Sequence, residues 1–338
     1  MYMDTPTPFG SLPRTPDTLC LQIMITIPLV NTDVYLIGTE DIKKYRKERY
    51  SKEAYRFFEI PKRSGGMRTI LAPCRELKMI QKAIACILQD RWEPIAQVHG
   101  FVKSRSVVSG AARHVGKPYL LNIDLKDFFQ SITAGEVLTA LYQNGMSAPC
   151  ALLVSSICTT AVENGMPVLP QGAPSSPILS NIVCDTLDRR IRGLAECFGI
   201  TYTRYADDMS FSAPYNAFRP EDAFCVCLES IIREEGFTIN RKKTRLQKTG
   251  ARQEVTGLTV CEKVNVSRKW LKGLRAEIHR LETGSYTKED IRRVLGRIAW
   301  LRHVRGGWEP VSRKLDSRVR KLKARIRSRN GVALDSPP

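Results

Sequence analysis

Tyr205-Ala206-Asp207-Asp208 is the stretch that decides the fold, because it places two adjacent carboxylates between two short segments with strand character. Residues 201–204 read Thr-Tyr-Thr-Arg and residues 209–212 read Met-Ser-Phe-Ser. Residues of these types favour strands, so the pattern predicts a hairpin that presents both aspartates at its turn. An ordinary hairpin turn is the alternative, since Asp is common in turns for local reasons.

A third carboxylate, Asp124, follows an apolar run over residues 119–123 that reads as a buried strand. Three acids at neighbouring strand ends would form an oxygen-rich site, and magnesium prefers such hard ligands while keeping waters for substrate phosphates. Two such ions would activate an attacking hydroxyl and stabilise a leaving pyrophosphate. The alternative is that Asp124 and Asp127 are helix or turn caps.

The charge of the chain indicates a polyanionic partner. With 338 residues the chain is long enough for two or three subdomains, and its net charge is +19. Such an excess points to nucleic acid or to a membrane surface. No apolar run reaches the roughly 18 residues of a spanning helix, and residues 19–30 lack the basic region of a signal peptide. We therefore expect a cytoplasmic protein that binds nucleic acid and no membrane.

The ten cysteines are scattered along the chain and lie mostly in apolar sequence, as Cys86 does. We therefore expect reduced core residues rather than disulfides. Only Cys225 and Cys227 lie close together, and no His or second Cys pair follows at zinc-site spacing. We expect no structural zinc.

The last quarter of the chain carries most of the positive charge. Residues 259–338 contain 21 Lys and Arg against 8 Asp and Glu. Nine basic residues lie between Arg313 and Arg329, in a segment whose apolar residues recur at helical spacing. A solvated helix face that binds nothing is one interpretation. The mutual repulsion of so many like charges favours the other, a phosphate backbone as partner.

Capping signals divide this quarter into three predicted helices. Ser267 is placed to cap the first helix, which closes at Gly284. Thr287 and Asp290 form a capping-box pattern for the second helix. The third helix follows Pro310.

Six blocks of sequence, in this order, resemble the motifs of reverse transcriptases. A basic hairpin with a Gly-Gly turn resembles the fingers motif, and Asp124 with Phe128-Phe129 resembles the first palm motif. Leu-Pro-Gln-Gly-Ala-Pro-Ser-Ser-Pro at 169–177 resembles the block beneath the templating base and the incoming nucleotide. The blocks are residues 57–77, 99–106, 124–129, 169–181, 236–244 and 255–258. Together they are far more specific than any one of them.

Within that class the chain resembles the retron reverse transcriptases of bacteria. The similarity includes its compact length, the form of residues 171–177, and the triplet Val255-Thr256-Gly257, which is a signature of that family. A second family signature has Asn, Ala, two residues and His. The matching stretch here, residues 110–114, has Gly110 in place of that Asn. The departure removes any contact of the Asn side chain and leaves the catalytic residues untouched.

The resemblance implies an α+β fold of the right-hand polymerase type, with fingers, a palm of antiparallel sheet plus helices, and a helical thumb. The expected division is a leader at 1–35, fingers at 36–118, a palm at 119–258 and a basic, RNA-binding thumb at 259–338. A helical insertion associated with the fingers is expected at 141–165.

The resemblance also implies the roles of single residues. Asp124, Asp207 and Asp208 would be catalytic and would hold two Mg²⁺ ions, which Mn²⁺ can replace, with help from the carbonyl of Leu125. The nucleotide would be bound by Lys62, Arg63, Arg68, Phe129, Gln171 and Lys243. Phe129 would be the steric gate against a 2′-hydroxyl, and Lys243 would act on the leaving group, with Arg241, Lys242 and Arg245 as alternatives. RNA would be bound by Val255, Thr256, Gly257, Arg313, Lys314, Arg318, Arg320, Lys321 and Lys323.

The implied function is that of an RNA-directed DNA polymerase that copies part of a structured noncoding RNA into single-stranded DNA. A 2′-hydroxyl of the same RNA would prime synthesis and leave an RNA–DNA hybrid, the msDNA. The implied partners are this RNA and its product, dNTPs, host ribonuclease H and a separate effector protein in anti-phage defence. The alternatives are another defence or intron-type reverse transcriptase, an RNA-dependent RNA polymerase, and a non-catalytic RNA-binding scaffold. The short thumb argues against the intron type, Phe129 against the RNA polymerase and the three aspartates against the scaffold.

Overall fold

The computed structural model describes Ile42, Lys44 and residues 54–62, 65–161, 165–284, 286–306 and 309–330. Along the last helix it describes the side chains of 310–321 and 324. The predicted leader at 1–35 and the predicted nucleotide contact Arg63 lie outside the described residues.

Strands and helices alternate irregularly along the chain, as in an α+β protein rather than a regularly alternating α/β protein. The elements are β1 Tyr55–Pro61, β2 Met67–Pro73, α1 Arg75–Arg91, α2 Val107–Ala112, β3 Tyr119–Asp124, α3 Ala134–Gln143, α4 Ala148–Cys158, α5 Ser176–Val183, α6 Asp185–Cys197, β4 Thr201–Tyr205, β5 Asp208–Ala213, α7 Ala223–Glu234, β6 Arg245–Lys248, β7 Glu254–Val255, β8 Leu258–Thr259, α8 Arg268–Thr283, α9 Lys288–Arg305 and α10 Pro310–Asn330.

The chain folds into two compact units. The first combines the residues up to 106 with residues 121–246, and the second combines residues 107–120 with residues 247–338. Thus the short helix α2 is grouped with the three C-terminal helices. The predicted boundaries between fingers, palm and thumb stay a prediction, because compactness alone does not define those functional parts.

A four-stranded sheet in the order β4-β5-β3-β6 organises the first unit. Strands β4 and β5 pair antiparallel, with Thr201 opposite Ser212 and Tyr205 opposite Asp208, so the predicted hairpin forms. Helix α7 covers this hairpin, where the ring of Phe224 meets that of Phe211 at 5.5 Å between centroids. The predicted α+β class is confirmed, and the sheet brings the catalytic candidates of β3 and β5 to neighbouring strands.

The predicted basic hairpin with a Gly-Gly turn also forms. Strands β1 and β2 pair antiparallel from Tyr55 opposite Pro73 to Pro61 opposite Met67. The turn is closed by a hydrogen bond from the Lys62 amide to the carbonyl of Gly66 (2.9 Å). Most of the hairpin is exposed, which leaves its basic side chains available for a ligand.

Helices α8, α9 and α10 form the core of the second unit, and they follow the predicted capping signals. The Ser267 hydroxyl accepts a hydrogen bond from the Trp270 amide, and Thr287 with Asp290 forms the predicted capping box. The apolar stripes of the helices meet in one core that includes Leu274, Ile278, Leu301 and Leu315. None of the helices in the described ranges has the length and apolar content needed to cross a bilayer.

The described cysteines are free thiols, but not all of them are core residues. Cys150, Cys158, Cys184 and Cys225 are buried. The prediction is wrong for Cys86, Cys197, Cys227 and Cys261, which are exposed. In α1 the apolar neighbours of Cys86 face the core, and the helical period turns Cys86 itself toward solvent.

Candidate active site

The turn between β4 and β5 carries the two adjacent aspartates. Ala206 adopts a left-handed conformation (φ 56°), which is uncommon for a residue other than glycine, and it is the first of the two residues between Tyr205 and Asp208 in the turn. Asp207 is half-buried and Asp208 is exposed. The carbonyl of Asp207 accepts a hydrogen bond from the Leu125 amide (3.0 Å), so the turn is tied to the end of β3.

Asp124 ends β3 and is only 6% exposed. Its Oδ2 accepts a hydrogen bond from Lys243 Nζ (2.7 Å), and its Oδ1 accepts one from Asn240 Nδ2 (2.9 Å). The Asn240 amide also donates to the Asp124 carbonyl (2.8 Å). Sequence analysis missed Asn240 as a site residue, although it lies in the same motif block as Lys243. Both oxygens of this carboxylate are therefore paired within the protein.

The carboxylates repel one another electrostatically. Although part of the Asp208 side chain is exposed, desolvation of its carboxyl group by the surrounding protein, together with repulsion from Asp207 and Asp124, raises its pKa to about 6. Burial also raises the pKa of Asp207, with a further contribution from Asp124, while the charges of Lys243 and Arg68 oppose this rise. A local excess of negative charge is the setting in which a bound cation is most strongly stabilised.

The donor chemistry of the three aspartates fits a divalent cation, since carboxylate oxygens are hard ligands whose repulsion a cation relieves. Within the described residues, no three His, Cys, Asp or Glu side chains lie close enough together to bind a metal ion as they stand. Asp124 is paired with the Lys243 ammonium instead. A cation at Asp124 would therefore compete with the Lys243 ammonium for Oδ2.

Arg68 of the β1–β2 hairpin lies near the paired aspartates. Arg68 is close enough for its charge to lower the pKa of Asp207, although both Arg68 and Lys62 are exposed. The hairpin is bonded to the loop of Gln171, because the Leu71 amide donates to the Gln171 carbonyl (2.9 Å). Arg68 and Gln171, two predicted nucleotide contacts, are thus linked by main chain.

Gly172 allows this close approach between loop and hairpin. Its φ is +128°, a conformation that other residues rarely adopt. A Cβ at this position would lie 2.8 Å from Ile70 Cγ2 and 2.9 Å from the carbonyl oxygen of Leu71. Any side chain here would push the Gln171 loop away from β2.

Phe129 belongs to an aromatic cluster beside the turn that carries Asp207 and Asp208. It is half-buried, its ring lies 6.4 Å from that of Phe101, and Phe101 lies 6.1 Å from Tyr205. Phe128, by contrast, is 4% exposed and stacks on Phe237 at 5.8 Å. Phe129 is therefore partly accessible to a ligand, whereas Phe128 packs in the core.

Some of the predicted RNA-binding residues of α10 are paired with acidic side chains, and others are exposed. Arg318 makes two hydrogen bonds with Glu282 of α8 (2.9 and 2.5 Å), and Arg320 binds Asp316 at 2.8 Å. Arg313, Lys314 and Lys321 are exposed, and the side chain of Lys323 lies outside the described residues. Arg318 thus joins two helices of the second unit, and the RNA-binding roles of the α10 residues stay a prediction.

A row of cations that sequence analysis did not single out lies on α8. Its exposed basic residues are Arg268, Lys269, Lys272, Arg275 and Arg280. The acids of this helix are engaged elsewhere, Glu277 with Arg297 and Glu282 with Arg318. Because residues at i, i+4 and i+7 share a helix face, Arg268, Lys272 and Arg275 form one continuous stripe.

The triplet Val255-Thr256-Gly257 forms the tight turn between β7 and β8. Val255 is buried, whereas Thr256 and Gly257 both have positive φ (45° and 83°). Two such residues in a two-residue hairpin define a type I′ turn. A β-branched residue is strained in this conformation, so Thr256 is a local outlier of the kind found at functional sites.

Comparison with known proteins assigns the class. The sequence profile of the family described as reverse transcriptase (RNA-dependent DNA polymerase) matches residues 60–276, and the chain belongs to that family. The retron Mx65 reverse transcriptase of Myxococcus xanthus is 41% identical over 239 residues, which cover 67% of this chain and 55% of that protein. The retron Ec86 reverse transcriptase of Escherichia coli is 37% identical over 273 residues, covering 79% and 81%. Within the family, the chain is therefore a bacterial retron reverse transcriptase.

The match spans only about half the length of the first of these relatives. Among solved structures, telomerase of Candida albicans with a fragment of telomeric RNA has a TM-score of 0.46 and 10% identity. The match covers 81% of this chain and 64% of that one. A likeness of this strength adds nothing to the assignment.

Proposed function

We propose that this protein is an RNA-directed DNA polymerase that joins nucleotides by metal-dependent transfer. The observation that carries the proposal is the placement of Asp207 and Asp208 on a tight turn that is hydrogen-bonded to β3, where Asp124 ends the strand. Membership of the reverse transcriptase family supports the same reaction.

The acidic residues form the centre of the proposed mechanism. Asp124, Asp207 and Asp208, with the carbonyl of Leu125, would hold two Mg²⁺ ions or Mn²⁺ in their place. When bound, those ions would lower the pKa of the primer hydroxyl and neutralise negative charge on the leaving pyrophosphate. Asn240 fixes the orientation of the Asp124 carboxylate through its 2.9 Å hydrogen bond.

Basic and aromatic residues hold the nucleotide in this proposal. Arg68 offers a planar fork for phosphate oxygens and Lys62 a point charge, while Gln171 contacts the nucleotide from the loop that β2 fixes. The ring of Phe129 lies beneath the sugar and excludes a 2′-hydroxyl. Burial alone would lower the pKa of Lys243, but its bond to Asp124 and the neighbouring acids produce a net rise. Lys243 therefore stays protonated and can donate a proton to the leaving pyrophosphate.

The nucleic-acid interface of the second unit is best placed on α8. Counterion release makes phosphate contacts favourable in proportion to the number of free cations that reach the backbone. The stripe of Arg268, Lys272 and Arg275 is exposed and uninterrupted by acids, whereas Arg318 of α10 is engaged. The exposed α10 residues Arg313, Lys314 and Lys321 and the turn at 255–257 are further proposed contacts for RNA.

The natural template in this proposal is a structured noncoding RNA, copied from a 2′-hydroxyl of the same molecule to give msDNA in the cytoplasm. The names of the relatives, retron reverse transcriptases, support this choice. Host ribonuclease H would remove the template, and an effector protein would complete an anti-phage system. Sequencing of the nucleic acid that copurifies with the protein tests the proposal. DNA branched from a short RNA is expected, and random cellular RNA would contradict it.

Substitution of Asp207 tests the polymerase itself. We expect Asp207→Asn to fold and to bind an RNA–DNA duplex like the wild type but to extend no primer, because one carboxylate of the cation site is lost. The matched control is Asp90→Asn, which makes the same change at an exposed position of α1, where substitutions have small effects on stability. Substantial primer extension by Asp207→Asn would contradict the proposed function.

A further inference from the structure

Arg204 and Asp188 form a buried ion pair next to the catalytic turn. Their side chains are 0% and 1% exposed. Arg204 Nε donates to Asp188 Oδ1 (2.8 Å) and Nη2 donates to Oδ2 (2.6 Å). Apolar residues often replace such a pair without loss of stability, because desolvation of both charges offsets their attraction. Stability alone is therefore a weak explanation for this pair.

The third contact of the guanidinium points to another role. Arg204 Nη1 donates to the carbonyl of Ala206 (3.1 Å), and that carbonyl belongs to the peptide unit that leads into Asp207. Ala206 has a left-handed conformation in the turn, which costs free energy and persists only where its surroundings enforce it. One rigid fork thus holds both Asp188 and the peptide plane immediately before the catalytic acids.

The backbone of Gly100 also contacts the turn. A Cβ on Gly100 would lie 2.6 Å from the Ala206 nitrogen, so the two backbones are in direct contact. Asn181 holds Gly100 in place by donating from Nδ2 to its carbonyl (2.9 Å). The His99 amide donates to the Arg204 carbonyl at 2.8 Å, which joins the same segment to β4. The turn therefore contacts both a buried guanidinium and a hydrogen-bonded stretch of backbone.

We propose that Arg204 is a positioning residue, which Asp188 orients and which fixes the Ala206 peptide so that Asp207 and Asp208 present their carboxylates ready for a cation. This inference rests on the proposed polymerase function and adds residues to it that touch neither substrate nor cation. A preorganised turn stabilises the transition state because no rearrangement is needed when the charge develops.

The variant Arg204→Lys tests whether the role of Arg204 is to position the Ala206 peptide or only to place a positive charge beside the buried Asp188. Lysine keeps a cation beside Asp188, but a single ammonium cannot reproduce the planar fork that reaches three acceptor atoms. The matched control is Tyr202→Phe, which removes only the hydroxyl that donates to Asp188 Oδ1 (2.7 Å). Both changes lie on β4 and touch Asp188, but only the first loses the bond to Ala206.

The measurements are the kcat and KM of primer extension and the binding of Mn²⁺ by electron paramagnetic resonance, with the protein on an RNA–DNA duplex. For Arg204→Lys we expect a fall in kcat of about 10- to 100-fold, the range that a small misplacement of catalytic groups produces. Mn²⁺ affinity should fall several-fold, while the KM for dNTP and the duplex affinity stay within about twofold of wild type. Tyr202→Phe should match wild type in every measurement.

A second variant covers the case in which Arg204→Lys fails to fold. Arg204→Met/Asp188→Leu/Tyr202→Phe removes both charges and the hydroxyl, and so leaves no buried charge unpaired. It should fold and show the same loss of kcat and of Mn²⁺ affinity. Wild-type kcat and Mn²⁺ affinity in either folded variant would overturn the positioning role, and so would failure of both variants to fold, which would assign the pair to stability. A wild-type protein that binds Mn²⁺ but extends no primer would instead contradict the proposed function.

Discussion

The basic stripe of α8 makes a quantitative prediction about binding of nucleic acid. The variant Arg268→Gln/Lys272→Gln/Arg275→Gln removes three exposed cations whose spacing follows one helix face. Each phosphate contact contributes about 0.9 to the slope of log affinity against log salt for a duplex, so three lost contacts lower the slope by about 2.7. Between 50 and 200 mM salt, a fourfold change, the variant should therefore lose about 40-fold less affinity than the wild type.

The assay is fluorescence anisotropy of a labelled RNA–DNA duplex at several KCl concentrations in that range. The control variant, Lys288→Gln/Arg292→Gln/Arg302→Gln on α9, removes the same charge from exposed positions of the neighbouring helix. Circular dichroism should show both variants folded, since exposed substitutions of this kind have small effects on stability. Equal changes of slope in the two variants would refute the reasoning, because then net charge and not the α8 stripe determines binding.

Three further predictions concern the first unit. Desolvation of the carboxyl group and the neighbouring acids raise the pKa of Asp208 to about 6, so below that pH a cation must displace the proton of Asp208. We therefore expect the affinity for Mn²⁺ to fall about tenfold from pH 7 to pH 5, and a pH-independent affinity would contradict this. Phe129→Ala should admit ribonucleotides, measured as the ratio of kcat/KM for rNTP and dNTP, and an unchanged ratio would exclude Phe129 from the sugar site. Gly172→Ala should raise the KM for dNTP about tenfold or more at unchanged duplex affinity, because its Cβ forces the Gln171 loop away from β2. A wild-type KM would show that the loop position does not matter.

Local sequence signals predicted the parts of this structure that depend on neighbours in the chain. The hairpin around Asp207 and Asp208 follows from the strand character of its arms, and it forms with Tyr205 opposite Asp208. The capping signals at Ser267 and Thr287 also correspond to the helix starts that the structure shows. In each case the side chain and the backbone group that it satisfies lie within a few residues of one another.

Contacts between distant segments could not be predicted in this way. The partners of Asp124 are 116 and 119 residues away, and the buried partner of Arg204 lies on a different element, α6. The freedom of the α10 cations also depends on a distant residue, because Glu282 of α8 engages Arg318. Charge counting along the sequence treats every Lys and Arg alike, whereas the fold decides which of them remain available to a phosphate.

Lys243 connects the electrostatics of the site with the proposed reaction. Its ammonium binds Asp124 Oδ2, and Asp124 cannot give the same lone pair to this ammonium and to a cation. In the proposed mechanism, a cation that takes this lone pair frees the Lys243 ammonium beside the reacting groups, and a lysine is protonated at neutral pH. The neighbouring basic residues are less suited, since Arg241 pairs with Glu229 and an arginine gives up its proton far less readily. We therefore propose that Lys243, whose positive charge offsets that of the aspartates before a cation binds, protonates the pyrophosphate after a cation has bound.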